Sequence, residues 1–161
     1  MRAEKSRYDS TLLNEEIDRL IETIAGVPYS ALPLERPEVV CFAKRIEELT
    51  GYDADQILAD RQLWINIIHP DDRERVFAAF NRCKNWRIPF EIEYRIIRND
   101  GSVHYILDKG EPVFNNRGRV TQIEGIITDI SEYTKAKICA CQRNPEVTKS
   151  NSLNPIVSLK I

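Results

Sequence analysis

The feature that most constrains this chain is a series of three strand-like segments separated by two tight turns. The first segment, PFEIEYRIIR at residues 89–98, alternates apolar and charged side chains with the period of a half-buried strand. The turn NDG at 99–101 is a strong hairpin signal, and NNRG at 115–118 marks a second turn before the last strand, RVTQIEGIITDI. Two successive tight hairpins predict an antiparallel meander.

The elements around this meander are shorter. Two strands are predicted near Tyr29–Leu32 and Glu38–Phe42, and several short helices, interrupted at Gly51, follow as far as Ile68. A longer helix then leads into the meander, and Ser131 is placed to cap a final helix. Because helices and strands are grouped rather than alternating, this order predicts an α+β fold in which helices cover one face of a single antiparallel sheet.

The segment NIIHPDDRERVFAAF, residues 66–80, places a histidine beside two carboxylates, which is compatible with a metal site or with the start of a helix. Pro70 suits the first helical position, because its missing N–H has no intrahelical partner there. Asp71 and Asp72 would then oppose the positive end of the helix dipole. Asp72 is also expected to reach back to the N–H of the capping residue, His69. We therefore predict a helix start here rather than a metal site.

Composition and charge exclude several functions. The net charge of −2 offers no basic surface for nucleic acid and no cationic face for a membrane. The first residues, MRAEKSRYDSTLLNEE, show no signal-peptide pattern, and no stretch approaches the ~20 apolar residues that span a bilayer. The four cysteines, Cys41, Cys83, Cys139 and Cys141, form no C-x-x-C pair, so free thiols are expected. These features predict a cytoplasmic protein that binds neither nucleic acid nor membrane.

An amphipathic helix is predicted at the N-terminus, within residues 1–24. Leu13, Ile17, Leu20 and Ile24 follow a 4-3-4 spacing on an otherwise polar helix, which gives a narrow apolar stripe like that of a short coiled coil. The stripe either packs on its own domain or pairs with a second copy of the chain. The second alternative predicts a homodimer through these four residues.

Four segments together resemble a PAS domain of the kind found in bacterial sensor histidine kinases. They are IEELTGYDADQIL, LWINIIHPDDRERV, FEIEYRIIRNDGSVHYILDKGEPV and GRVTQIEGIITDISEY, and they occur in the order and spacing of that family. Together with the amphipathic pattern of the first residues and the polar, proline-containing composition of the last ones, the resemblance divides the chain into an N-terminal helix at 1–24, a PAS domain at 25–131, an exit helix at 132–141 and a tail at 142–161 that is expected to lack fixed structure.

The resemblance implies a five-stranded antiparallel sheet with short helices over one face and flanking helices at both ends. It also implies a sensory module that binds a small ligand or a protein partner, such as a kinase or response regulator of a two-component system. The segment Asp129-Ile130-Ser131 matches the family's Asp-Ile-Thr junction, so these residues are predicted to relay a signal into the exit helix. Because no output domain follows, we expect the chain to act on a separate partner or to belong to a longer protein.

In PAS domains a ligand lies between the helices and the sheet, which here implies a mostly apolar pocket. The ligand is not predicted, but haem and flavin are disfavoured. Neither His69 nor His104 lies where the family places a haem ligand, and FNRCKNW around Cys83 only imitates the flavin-binding sequence. The candidate pocket residues, each of which also suits an ordinary core, are Phe42, Leu49, Trp64, Ile68, Phe77, Phe80, Phe90, Ile92, Tyr94 and Ile127.

Two alternatives compete with a ligand sensor. The first is a ligand-free dimerisation or adaptor domain. The second is a small cone-shaped α+β enzyme that holds a general-base carboxylate in its apolar pocket. Strand alternation predicts that Glu91, Glu93 and Asp108 point away from the apolar face, and the sequence has no nucleophile with a paired base and no phosphate loop. A protein without catalytic activity is therefore predicted.

Overall fold

Five strands form one sheet in a computed structural model, which describes residues 25–34, 38–43 and 45–143. The strands are β1 Val27–Leu32, β2 Glu38–Phe42, β3 Phe90–Ile97, β4 Val103–Phe114 and β5 Val120–Asp129. Their order across the sheet is β2-β1-β5-β4-β3, and every neighbouring pair is antiparallel. The predicted α+β fold with a five-stranded antiparallel sheet is thus confirmed, and the first and last strands of the domain are neighbours.

Short helices follow β2, and a final helix follows β5. They are α1 Ile46–Thr50, α2 Ala54–Ala59, α3 Arg61–Ile67, α4 Arg73–Trp86 and α5 Ser131–Arg143, with a 3₁₀ turn at Pro70–Asp72 before α4. Gly51, at φ +77°, ends α1 in the left-handed conformation. Asp53 and Gln56 then form a capping box at the start of α2. Local turn chemistry therefore explains why this region forms several helices instead of one.

The core lies between the helices and the inner face of the sheet. On α4, the residues at helical spacing, Val76, Phe80 and Cys83, are buried together with Ala79. Burial of a large apolar side chain contributes about 1.5–3 kcal/mol relative to exposure. The inner face of the sheet contributes Val27, Tyr29, Ala31, Tyr94, Ile96, Ile106, Ile123 and Ile127 to the same core.

The predicted helix start at His69 is present, but Asp72 does not reach back to it. His69 Nδ1 accepts a hydrogen bond from Asp71 N at 3.3 Å, whereas the backbone N–H of His69 donates to Arg95 O on β3. Asp72 instead accepts hydrogen bonds from the backbone N and the side-chain Nε of Arg95, each at 2.9 Å. This part of the prediction was wrong because a guanidinium offers a carboxylate several charge-assisted bonds, where the cap offers one N–H.

The segments that flank the sheet are described only in part. The predicted N-terminal helix and its apolar stripe lie outside the described residues, as does the chain beyond Arg143. The exit helix α5 begins at Ser131 and continues to Arg143, just past its predicted end at 141. None of the described helices is long and apolar enough to cross a membrane.

Candidate functional site

The ten candidate pocket residues lie together between the sheet and the helices. Most are buried in the core, and the remaining three are partly buried against it. The buried ones are Phe42, Leu49, Trp64, Ile68, Phe80, Tyr94 and Ile127, and the partly buried ones are Phe77, Phe90 and Ile92. The structure therefore brings the predicted set into one cluster, while contact of these residues with a ligand stays a prediction.

Aromatic rings fill the centre of this cluster. The ring centroids of Phe42 and Trp64 are 5.1 Å apart, and those of Phe80 and Phe90 are 4.8 Å apart, which is direct packing. Tyr29 on β1 connects the two pairs, because its ring lies 6.3 Å from both Phe42 and Phe80. The sequence patterns did not single out Tyr29, although its alternation with Val27 and Ala31 in VPYSAL marks an inward position.

One carboxylate lies inside the core, contrary to the prediction that Asp108 points away from it. Asp108 on β4 is 1% exposed. Its two oxygens accept hydrogen bonds from Tyr29 Oη at 2.9 Å and from Tyr94 Oη at 3.0 Å. Glu91 and Glu93 are exposed, as alternation predicts. The core thus contains a polar cluster of one acid and two phenols, drawn from three strands.

The surroundings of Asp108 favour the neutral carboxyl group. Burial raises the pKa of Asp108 to about 7, although the hydrogen bonds from Tyr29 and Tyr94 act to lower it. Burial, followed by the nearby charge of Asp108, also raises the pKa of both tyrosines well above the usual value. Both phenols therefore stay protonated, and Asp108 is the acidic member of the cluster, whose neutral form burial favours.

Two glycines without side chains provide the space in which this cluster and the adjoining Phe90 ring pack. A methyl group on Gly125 of β5 would lie 2.6 Å from the ring of Tyr29 and 2.6 Å from the carbonyl oxygen of Lys109. A methyl group on Gly110 would meet the ring of Phe90. Because β5 has no side chain at Gly125, Tyr29 can reach across that strand to Asp108 on β4.

A groove of about 320 Å³ opens on the surface beside α1 and the paired ends of β1 and β5. It shares Leu49 and Ile127 with the candidate pocket residues and Asp129 with the predicted relay. Its lining residues are Ala25, Gly26, Val27, Arg45, Glu48, Leu49, Ile127, Thr128 and Asp129. The groove therefore adjoins both the core and the junction that leads into α5.

That junction contains all three predicted relay residues. Asp129 accepts a hydrogen bond from Ser131 N at 2.8 Å, and its second oxygen lies 2.8 Å from His104 Nδ1. The Ser131 hydroxyl does not cap the helix as predicted, because it accepts a hydrogen bond from Tyr105 N on β4 at 2.9 Å. Ile130 N donates to Tyr105 O at 2.8 Å. Side-chain and backbone bonds thus join the first turn of α5 to β4.

The hydrogen bonds at this junction stabilise the negative charge of Asp129. Burial alone would raise the pKa of Asp129, but the hydrogen bonds from Ser131 and His104 outweigh that effect and lower the pKa below its usual range. Asp129 is therefore an ionised acceptor at the start of α5, where a negative charge opposes the helix dipole favourably.

Metal chemistry has little support in the part of the chain that the structure describes. It contains no group of three or more histidine, cysteine, aspartate or glutamate side chains arranged to hold a metal ion. His69 is used at the helix start, and His104 contacts Asp129. Cys83 is buried against the apolar core with a free thiol.

A family model described as "PAS fold" matches residues 39–127. The chain belongs to the PAS family. The matched range includes most of the sheet from β2 to β5 and the four helices between β2 and β3. Asp108 and most of the aromatic core of this PAS domain lie within it, whereas Tyr29 and the relay residues lie just outside.

Two relatives of this PAS domain are much longer proteins. The domain is 37% identical over 90 residues to the uncharacterized protein y4lL of Sinorhizobium fredii, an alignment that covers 56% of this chain and 11% of that protein. It is 28% identical over 123 residues to the methyl sulfide methyltransferase-associated sensor of Methanosarcina acetivorans, covering 74% of this chain and 12% of the sensor. The chain therefore spans a small part of these relatives.

A solved structure agrees with the PAS fold. The domain aligns with the sensory box histidine kinase/response regulator of Burkholderia thailandensis at a TM-score of 0.63 and 19% identity. The alignment covers 83% of this chain and 98% of that one. At this identity the likeness shows the fold alone. The family match and the sensor among the relatives support the coarser statement that this is a PAS sensory domain of the type found in signalling proteins.

Proposed function

We propose that this PAS domain senses a signal and transmits it through α5 to a signalling partner, such as a histidine kinase or response regulator. The junction of Asp129 with His104 and Ser131 carries this proposal. It joins the central strand β5 and its neighbour β4 to the first turn of α5, so a shift between these strands changes the support of the helix. The sensor and the kinase among the similar proteins support this class of partner.

Replacing Asp129 by alanine is expected to loosen the start of α5, because Ser131 N and His104 lose their shared acceptor. Amide hydrogen exchange over residues 130–136 is expected to accelerate by about tenfold, which corresponds to about 1.4 kcal/mol of local stability. Hydrogen exchange followed by mass spectrometry on the wild-type and variant chains measures this effect.

Asp100→Ala is the matched control for this experiment. Asp100 makes the same kind of local bond, accepting from Ser102 N at 2.8 Å, but it does so in the exposed turn between β3 and β4. Its loss is expected to leave exchange in α5 unchanged. Equal exchange at the start of α5 in wild type and Asp129→Ala would contradict the relay.

We also propose that a small ligand acts at the aromatic core through the ten candidate pocket residues. The groove of about 320 Å³ that adjoins this core at Leu49 and Ile127 supports this proposal. Absorbance and native mass spectrometry of the purified chain distinguish it from a ligand-free adaptor. A retained small molecule supports the ligand sensor, whereas a bare chain mass in a chain that still binds its signalling partner supports the adaptor.

We propose that the chain forms a homodimer through the N-terminal apolar stripe. The double substitution Leu13→Asp with Leu20→Asp is expected to reduce the mass in solution from twice the chain mass of 18.7 kDa to a single chain mass. A charge in the seam opposes pairing. Light scattering after size-exclusion chromatography measures the change, with Glu15→Ala and Glu22→Ala as the polar-face control. A dimer that persists in the Asp variant would refute this seam.

We infer that the domain acts without catalysing a reaction. The buried Asp108 favours the enzyme alternative, because an inward carboxyl with a raised pKa suits a general base. However, both of its oxygens are occupied by phenol hydrogen bonds, and it does not line the surface groove. These contacts support a role for Asp108 inside the fold instead of on a substrate.

The cellular location of the domain, and its expected lack of binding to nucleic acid and membranes, also stay predictions. We propose a cytoplasmic domain that binds neither nucleic acid nor membrane. The free thiols of Cys41, Cys83 and Cys139 suit a reducing compartment. The net charge of −2 offers no general attraction to anionic polymers or lipids.

A further inference from the structure

The cluster of Asp108, Tyr29 and Tyr94 has a property that the proposed relay does not use. A carboxyl group that is 1% exposed sits in an aromatic core, and its two hydrogen-bond partners are neutral phenols. A buried carboxylate is normally paired with a cation, because burial otherwise disfavours its charge. Here the charged form is held by hydrogen bonds alone.

The elements around Asp108 present few ionisable groups. From the strands, β1 presents Tyr29 and β3 presents Tyr94, and both bond directly to it. From the helix side, α4 places the Cys83 thiol near Tyr29, and burial raises the pKa of that thiol to about 11, so it stays neutral. β5 pairs with this part of β4 through Ile127, which is not ionisable.

Charged side chains near this stretch of β4 lie on the other face of the sheet. Lys109 is the next residue along the strand, and its ammonium group pairs with Glu91 at 3.1 Å, where both are exposed. Glu111 is also exposed, and its charge acts on Cys83. Among the described residues, the hydrogen bonds of Tyr29 and Tyr94 are therefore what stabilises an ionised Asp108.

Protonation changes the number of hydrogens that this cluster must place. An ionised carboxylate accepts only, so it matches the two phenol donors. A neutral carboxyl brings a hydrogen of its own, so three hydrogens then compete for the same few oxygens. One phenol bond must then reverse or lengthen. The two protonation states therefore prefer different hydrogen-bond arrangements between β4 and its neighbours.

The cluster is close to the base of α5 in the register of the sheet. Asp108 lies opposite Ile127 on β5, and Ile106 lies opposite Asp129, the residue that supports the helix. Ile106 and Ile127 are both fully packed in the core. A close-packed interior passes on small shifts because it has little free volume to absorb them.

We propose that the Tyr29–Asp108–Tyr94 cluster is a proton sensor, in which uptake or release of one proton at the buried Asp108 carboxyl rearranges the bonds of β1 and β3 to β4 and so alters the support of α5. The proton is exchanged with water. The titration depends on the cluster alone, whereas its effect on α5 rests on the proposed relay.

An NMR titration of carboxyl carbons and backbone amides on the whole chain tests both parts. The Asp108 carboxyl is expected to titrate with a midpoint near pH 7, and the Ser131 amide is expected to shift with the same midpoint. Tyr94→Phe removes a donor to the ionised form, so it is expected to raise the Asp108 midpoint by about one pH unit.

Two variants separate Asp108 from other groups. Asp108→Asn keeps the shape of the neutral acid and is expected to abolish the shared midpoint, whereas Asp100→Asn in the exposed turn is expected to preserve it. Because the Ser131 amide bonds to Asp129, which also contacts His104, only the part of the Ser131 shift that disappears with Asp108 is assigned to the sensor.

The outcomes distinguish the sensor from the relay. An Asp108 carboxyl that titrates below about pH 5, as exposed acids do, would overturn the sensor, whatever the hydrogen-exchange experiment on Asp129→Ala shows. Titration near neutral pH without a matching Ser131 shift would overturn the coupling to α5. An unchanged midpoint in Tyr94→Phe would overturn the role of the phenols. The wild-type and Tyr94→Phe titrations decide these points even if Asp108→Asn does not fold.

Discussion

Replacing Asp72 by alanine is expected to lower the free energy of unfolding by about 2–3 kcal/mol. Asp72 is 5% exposed and accepts three hydrogen bonds from Arg95, from the backbone N and Nε at 2.9 Å and from Nη2 at 3.0 Å. Its removal leaves the Arg95 backbone N–H without its acceptor and detaches the start of α4 from β3. Urea unfolding followed by circular dichroism measures the loss.

Asp71→Ala is the matched control, because the two acids are adjacent and both lie within reach of Arg95. The Asp71 side chain is 72% exposed and contacts Arg95 at only 3.4 Å. An exposed pair of this kind contributes little, so the expected loss is below about 0.5 kcal/mol. Equal losses in the two variants would contradict a specific clamp at Asp72.

The clamp also has a pH signature. Burial alone would raise the pKa of Asp72, but the hydrogen bonds and charge of Arg95 outweigh it and lower the pKa below the usual value of 3.8. The stabilisation is therefore present above about pH 4 and is lost as the pH falls through the lower pKa of the folded state. Wild type and Asp72→Ala are expected to approach the same stability in strong acid.

The substitution Gly125→Ala is expected to cost about 2–3 kcal/mol through overpacking. The added methyl group would lie 2.6 Å from both the Tyr29 ring and the carbonyl oxygen of Lys109. The carbonyl belongs to the backbone of β4 and cannot rotate away. The Tyr29 ring is held on one side by Asp108 and on the other by Phe80, so relief requires β1 to move away from β5. Thermal unfolding of the purified variant measures the effect.

Gly101→Ala serves as the control for this prediction. A methyl group at Gly101 meets no atom within 4 Å, but the backbone has a φ of +79°. The expected cost is therefore only the strain of the left-handed conformation, about 1 kcal/mol. A loss in Gly125→Ala no greater than that in Gly101→Ala would show that the sheet yields at Gly125 and that Tyr29 is not tightly held.

The strands and turns of this domain were predictable because local chemistry decides them. The alternation of Phe90, Ile92 and Tyr94 with charged side chains gives the inner face of β3 directly. The glycines at 101 and 118 both adopt positive φ, as the predicted hairpin turns require. The core of α4 followed from helical spacing in the same way. In each case neighbours in sequence decide the outcome.

The position of Asp108 was not predictable from alternation, because β4 has apolar side chains on both faces. Tyr105 and Leu107 lie on the outer face and are half-buried, whereas Ile106 and Gly110 lie on the inner face and are buried. An acid next to several apolar residues of the opposite parity is naturally assigned to solvent. Only the long-range approach of Tyr29 and Tyr94 makes the inner position acceptable.

The same reason explains the two errors at helix starts. Asp72 and Ser131 both have side chains that suit local capping, and the sequence predicts that use. In the structure each bonds to a distant strand, Asp72 to Arg95 and Ser131 to Tyr105. A local rule cannot anticipate which backbone group from far along the chain will arrive to compete for a polar side chain.

The antiparallel pairing of β1 with β5 has a mechanical consequence. Val27 at the beginning of β1 lies opposite Ile127 near the end of β5, and the Thr128 hydroxyl donates to the carbonyl of Ala25 at 3.0 Å. Tension applied between residue 25 and residue 129 therefore acts first on the outermost of these contacts. The hydrogen bonds between β1 and β5 then break one after another. A pull on residues 25 and 129 would therefore separate β1 from β5 within the sheet, whereas strands loaded in shear would have to break all their bonds at once.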